Sequence, residues 1–317
     1  MRRDSMGQAL LGFGLLTLIS MGSAHASEII VLMSSDLAPY KTVAAAIGVR
    51  EASRVEDITL SQNQKPDLVV HAIWEARPEV IVALGARALD LTSREFPGIP
   101  VIFGMVADPS QYAEKKDAAA GVELMPSEMQ VLKAIHAVLA RAHKIALLFD
   151  PDRSANVAEE FVRTGKEIGI TVLLLEFSKD SDVRGRLRSV AETCDALIVY
   201  PDLVLLSDKV FSDIVFQAFE LGLPAVGYSS AFARKGALMS VEADYGSVGE
   251  DLSRMVDQLR NGRDLRSIGV HPPSRVKITV NKAVADELAV EVEVTPNGVG
   301  SGIAPTVDVI ADRPPRR

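Results

Sequence analysis

Residues 80–105 read VIVALGARALDLTSREFPGIPVIFGM. Two runs in this stretch, Val80–Leu84 and Val101–Met105, are apolar at nearly every position. That is the pattern of strands covered on both faces, and the helix-length spacer between them predicts a β-α-β crossover in a parallel sheet. Similar runs recur at Ile29–Met33, Ile145–Phe149, Val172–Phe177, Ala196–Tyr200, Ala225–Tyr228 and Leu238–Val241, again with amphipathic spacers. The spacers carry helix punctuation. Ser127 with Gln130, and Ser247 with Glu250, have capping-box spacing, Pro66 suits a first helical turn, and Gly222 and Gly262 fall where helices end.

The series divides into two similar halves, residues 28–120 and 144–242, each alternating strand and helix. Asp117–Gly121 lies between them without strand or helix patterning and reads as a joint. A single sheet of about nine strands is near the practical limit, so the pattern favours two smaller sheets. The expected fold is α/β, with two doubly wound parallel-sheet lobes. Asn297–Arg317 holds Pro, Gly and scattered charge without periodicity and reads as a disordered tail.

The 317 residues are 48% apolar, with 34 Lys plus Arg against 42 Asp plus Glu, a formal charge of −8. No Lys/Arg-rich run occurs, and this argues against nucleic acid or an anionic membrane as partner, since both need a basic footprint. A small molecule or another protein fits better. The single cysteine, Cys194, has no intramolecular disulfide partner and reads as a small apolar group at the entry to a strand. At the amino terminus, Arg2 and Arg3 precede an apolar stretch from Ala9 to Ser20 and then Ala24-His25-Ala26. Residues 1–26 therefore read as a cleaved secretory signal, with a permanent anchor or twin-arginine export as rival readings. The mature protein is expected to be soluble and periplasmic.

Ligands of open α/β sheets bind outside the carboxyl ends of the strands, so the residues following each run are the candidates. These are Ser34, Ser35 and Asp36; Gly85 and Ala86; Asp108; Asp150 and Ser154; Asp202; and Tyr228 with Ser229. Hydroxyls and helix starts can hold a carboxylate, and a buried Asp can hold an amine or hydroxyls. Ser and Asp at helix starts are also ordinary N-caps, worth about 1 kcal/mol each, and for Asp36, Asp108 and Asp150 both readings stand. Asp202 differs, because Tyr200-Pro201-Asp202 breaks a strand well before the next helix begins near Ser207. Tyr40, Tyr112, Tyr200 and Tyr228 lie on the same side, whereas Trp74, with Leu68, Val69 and Ile73, fits the buried face of a helix.

Catalytic signatures are scarce. No phosphate-cradling glycine loop follows the first strand, and the mature chain has no Gly-x-Ser-x-Gly elbow. His136 and His143, seven apart, read as surface residues rather than metal ligands. No catalytic residue, metal site or cofactor is expected, and an enzyme using the cleft is a minor alternative.

Taken in order, several segments resemble the periplasmic substrate-binding components of ABC transporters with a type I binding-protein fold. They are residues 77–85; Ile99–Phe103 with Asp108-Pro109; Gly121-Val122; Ile145–Pro151; Asp195–Leu197 with Asp202; Leu223–Ser229; Gly236–Leu238; Asp244-Tyr245 with Gly249; and Asn261-Gly262. The resemblance implies two lobes joined by three crossings. The first lobe would comprise residues 27–120 and 247–272, the second 121–246 and 273–296, with the tail from 297 to 317. It further implies ligand contacts from Ser34, Ser35, Gly85, Ala86, Asp108, the Asp150 to Asn156 segment, Asp202 and Tyr228, in a monomer that closes around a small polar organic ligand, such as an amino acid or related carboxylate, for delivery to a membrane permease. A sensor role, signalling to a membrane receptor or kinase, is the alternative. The segment between the first strand and Val80 is short for the family, so ligand identity does not carry over.

Overall fold

The computed structural model describes residues 29–50, 55–60, 66–107, 109, 120–178, 182–202, 208–293 and 306–312. The signal segment read at 1–26, Asp108 and Tyr112 lie outside the described residues.

Two sheets organise the chain. The first takes β1 (Ile29–Met33), β2 (Val55–Thr59), β3 (Val80–Leu84), β4 (Val101–Val106), β5 (Ala120–Glu123) and β11 (Val270–His271), in the order β11-β5-β4-β3-β1-β2. Every pairing in it is parallel. The second takes β6 (Lys144–Phe149), β7 (Thr171–Glu176), β8 (Ala196–Val199), β9 (Ala225–Gly227), β10 (Met239–Ala243), β12 (Val276–Asn281) and β13 (Thr306–Ile310), in the order β13-β12-β10-β9-β8-β6-β7. Its pairings are parallel except β10 with β12. The apolar runs are explained by burial on both faces. Ile29, Val31 and Met33 pack into one core and Ile30 and Leu32 into another, while Ile145, Leu147 and Phe149 likewise separate from Ala146 and Leu148.

The chain passes between the sheets three times. The first passage leads from β5 to α4 (Glu128–Val138), the second from β10 to α9 (Tyr245–Arg260), and the third from β11 to β12 through Pro272–Arg275. Helix α9 joins the first lobe by lying against α1 (Ala38–Arg50). The approach is close enough that a side-chain carbon on Gly249 would stand 2.4 Å from the Val43 carbonyl oxygen and 2.5 Å from Ala46 Cβ. The third passage is fastened from both sides. From α9, Asp251 Oδ2 accepts the Ser274 N–H at 2.9 Å and Glu250 pairs with Arg275 at 3.2 Å. From α4, Gln130 Nε2 donates to the Pro273 carbonyl at 2.7 Å. Gln130 also completes the capping box read from sequence: Ser127 N–H donates to its Oε1 at 2.9 Å, and its own N–H donates to Ser127 Oγ at 3.3 Å.

Four expectations are corrected. Ala120 and Gly121, read as part of a joint, open β5 and pair with β4, so residues 121–123 belong to the first sheet rather than the second lobe. This strand holds one large apolar residue, Val122, which hid it from hydrophobic patterning. Thr306–Ile310, read as part of a disordered tail, forms β13 on the edge of the second sheet. There Lys277 pairs with Asp308 at 2.7 Å, and Thr306 Oγ1 donates to Asp244 Oδ2 at 3.0 Å. Helix α9 begins one turn before the Ser247 cap that was read: Asp244 is its N-cap and accepts the Ser247 N–H at 2.8 Å. Finally, Val69 and Ile73 of α2 (Pro66–Ala76) are buried, but Leu68 is 61% and Trp74 49% exposed, Trp74 resting its ring 5.3 Å from that of Phe96.

Candidate ligand-binding site

In open α/β sheets the ligand crevice lies where strand order reverses. That reversal falls between β1 and β3 in the first sheet and between β6 and β8 in the second. A polar cluster stands at the carboxyl end of each.

In the first lobe, Gly85 links β3 to α3 (Ala86–Glu95) with φ +89°. A side-chain carbon there would stand 2.7 Å from Ser34 Oγ and 2.9 Å from the Tyr40 hydroxyl. Glycine thus supplies the left-handed backbone and the space that brings Ser34 and Tyr40 over the start of α3. Ser34 Oγ accepts the Ala88 N–H at 2.9 Å, and the Ser34 carbonyl accepts Arg87 Nη1 at 3.3 Å. Ser35 is half-buried, with Oγ accepting the Leu37 N–H at 3.3 Å, and Ala86 is exposed as the first residue of α3.

In the second lobe, Asp150 caps α5 (Pro151–Glu167) by accepting the Asp152 N–H at 3.0 Å. Its other oxygen faces Arg153 Nε at 3.6 Å. Asp202 is buried and reaches back across the switch point: Oδ2 accepts the Asp150 N–H at 2.7 Å, and Oδ1 accepts the Ser154 hydroxyl. Ser154 makes this contact from a break in the helix, with φ −124° and ψ 22°. Burial pushes the Asp202 carboxyl above its ordinary value, and the bonds from Asp150 and Ser154 pull it partway back. Asn156 is exposed on α5 and lacks a hydrogen bond to this cluster among the described residues.

Tyr228 closes the second cluster. Its ring meets Tyr200 edge-on at 5.6 Å, and Tyr200 meets Phe161 edge-on at 6.5 Å. The Tyr228 hydroxyl is buried and has no hydrogen-bond partner among the described residues. Burial drives this phenol well above its ordinary value, and Tyr200, Glu128 and Asp202 push it further, so it stays a neutral donor. Ser229 occupies the N-cap position of α8 (Ser230–Arg234), yet its side chain makes no capping bond.

Tyr245 was missed in the sequence. It is the first residue of α9, and burial pushes its phenol up to about 12, with Glu242 and Tyr40 adding to the shift. The signal was present, because Tyr245 follows the β10 run just as the other candidates follow theirs. The two clusters offer phenol donors and a buried carboxylate, a set suited to holding a small molecule with both acceptor and donor groups. Cys194 is buried among apolar residues, and burial raises its thiol, which keeps it protonated. Among the described residues, no three His, Cys, Asp or Glu are grouped to hold a metal ion, and the His136 and His143 rings lie 5.8 Å apart. Among those residues, too, no helix is long and apolar enough to cross a membrane.

Two mostly parallel α/β sheets, joined by three crossings and each bearing polar groups at its switch point, define a two-lobe protein with the type I periplasmic binding fold. The chain belongs to the ABC transporter substrate binding protein family, whose sequence model matches residues 44–295. A ligand-free, open substrate-binding protein with adhesive properties from Clostridium difficile is similar at TM-score 0.68 and 14% identity, over 90% of this chain and 99% of that one. An ABC domain in complex with L-Trp from Streptococcus pneumonia is similar at TM-score 0.54 and 19% identity, over 84% and 95% of the chains. A conserved domain protein from Vibrio cholerae gives TM-score 0.54 and 16% identity, over 84% and 96%. Comparison with curated proteins returns no match.

Proposed function

We propose that this chain is the extracytoplasmic solute receptor of an ABC importer, exported by the segment at 1–26. It closes its two lobes around a small polar organic molecule, an amino acid or related carboxylate, and hands it to a membrane permease. The observation that carries this reading is the pair of clusters at the two switch points, above all the buried Asp202 carboxylate beside the unpartnered Tyr228 hydroxyl. Asp202 would hold an ammonium or hydroxyl group of the ligand, and Tyr228 would donate to an acceptor. The first-lobe wall would be supplied by Ser34, Ser35, Gly85 and Ala86 with Tyr40 and Tyr245, and Asp150, Ser154, Asn156 and Ser229 would complete the second. Asp108, which follows β4, belongs to the same proposed set.

Closure follows from differential affinity: the ligand meets both walls only in the closed form, so its binding shifts the population toward closure. Native mass spectrometry of the protein purified from its own periplasm should reveal the retained ligand. That ligand should shrink the radius of gyration in small-angle scattering, and Asp202→Asn should weaken it at least about tenfold, the loss of one charge-assisted bond. A ligand that raises the melting temperature without closing the lobes would overturn the reading.

A further inference from the structure

A second recess lies away from the cleft. It is a cavity of about 220 Å³ between α9, β5 and the returning segment from Ile268 to Ser274. Val122, Met255, Ile268 and Pro272 give it apolar walls, and Asp251, Arg254, Gln258, His271 and Ser274 give it polar ones. No member of the proposed cleft set lines it.

The state of its hydrogen bonds indicates what would fit. The acceptors are largely spent on the chain itself. Asp251 takes Arg254 on one oxygen and the Ser274 N–H on the other at 2.9 Å, and Gln258 Oε1 accepts Arg263 Nη1 at 3.0 Å. His271 Nε2 lies 2.5 Å from the Ile268 carbonyl oxygen, so this nitrogen carries the proton and donates it there. Against one remaining acceptor, His271 Nδ1, stands a surplus of donors: the other N–H groups of Arg254, the Gln258 amide N–H groups and the Ser274 hydroxyl, none with a partner among the described residues. A donor surplus against an apolar wall suits a monocarboxylate with a compact hydrocarbon body, its oxygens on Arg254 and Gln258 and its body on Met255 and Ile268.

We propose that this cavity is a second binding site, separate from the cleft, for a small aliphatic or aromatic monocarboxylate. Because Pro272–Ser274 is both its wall and part of the third crossing, a bound carboxylate would brace the segment between the lobes. Benzoate, with benzyl alcohol as the uncharged control, tests this in the purified full chain by isothermal titration and thermal unfolding. Expected are one-to-one benzoate binding, benzyl alcohol at least about tenfold weaker, and at least about a tenfold loss in Arg254→Gln and in Gln258→Glu. Arg254→Gln strips a partner from buried Asp251 and can fail to fold, whereas Gln258→Glu leaves Asp251 untouched and places a repelling carboxylate among the donors. Tyr228→Phe, which removes the cleft hydroxyl proposed to donate to a ligand acceptor, should leave benzoate affinity unchanged. Absence of benzoate binding, indifference to Gln258→Glu, or loss of benzoate in Tyr228→Phe, which would place it in the cleft, each overturns the proposal. None of these outcomes depends on the importer reading.

Discussion

Replacing Tyr228 by Phe should move stability and affinity in opposite directions. The ring packs among apolar neighbours and against Tyr200, and Phe preserves those contacts. What disappears is a buried hydroxyl without a partner, and removing such a group relieves a desolvation cost of about 1–3 kcal/mol. For a lobe of this size each kcal/mol is roughly 2–4 °C in Tm, so the ligand-free variant should melt several degrees higher. In the bound protein the same hydroxyl is proposed to meet the ligand. Losing a hydrogen bond to a charged group costs about 1.5–3 kcal/mol, or roughly 10- to 150-fold in Kd. Urea unfolding of ligand-stripped protein measures the first effect, and titration with the ligand identified by native mass spectrometry measures the second. A variant that loses stability while binding as tightly as the parent would show that the hydroxyl serves the fold, and the reasoning would fail.

Three further outcomes are expected. Gly249→Ala on α9 should destabilise by about 1–3 kcal/mol or more in denaturant unfolding, because its new carbon meets the Val43 carbonyl oxygen of α1, whereas Gly48→Ala on α1, with open space around it, should stabilise by about 0.5–1 kcal/mol. Burial raises the carboxyls of Asp57, Glu123, Glu128, Asp202 and Glu242 above their ordinary values. A raised acid binds its proton more tightly in the folded state, so these groups take stability away as pH climbs from the unfolded values through the folded ones; ligand-free protein should unfold at higher urea near about pH 5 than near about pH 7. Truncation after Glu293 removes β13 and Asp312, and with them partners of Lys277, Asn281 and Asp244, and should cost about 1–4 kcal/mol in urea unfolding.

How much was legible in the sequence depended on how completely an element is buried. Val80–Leu84 and Ile145–Phe149 are covered on both faces, so hydrophobicity alone announced them. Strand β13, by contrast, sits at an edge, and its Thr-Val-Asp-Val-Ile alternation was lost amid Pro and Gly. The start of α9 was misplaced because Ser247 and Glu250 have cap spacing, while Asp244, three residues earlier, accepts the Ser247 N–H. Trp74 was read as core because helix spacing shows which residues share a face but not how far the neighbouring layer extends. At the candidate site, position after a strand singled out Ser34, Asp150, Asp202 and Tyr228, which stand at the carboxyl ends of β1, β6, β8 and β9. It could not show that Ser154 leaves helical geometry to reach Asp202, since that contact joins residues 48 apart and depends on the sheet that brings them together.

Gln130 shows how a chemically mild exchange can be costly at one position. In a capping box Glu serves as well as Gln, because only an acceptor oxygen is needed to receive the cap's N–H. Here the other end of the same amide donates to the Pro273 carbonyl, on the segment between β11 and β12 that carries the chain from one lobe to the other. A Glu would keep the helix start and turn an oxygen toward that carbonyl, two acceptors facing each other with no hydrogen between them. The start of one helix and the α4 side of the path between the lobes thus share one side chain, and only a residue with an oxygen on one side and an amide N–H on the other serves both.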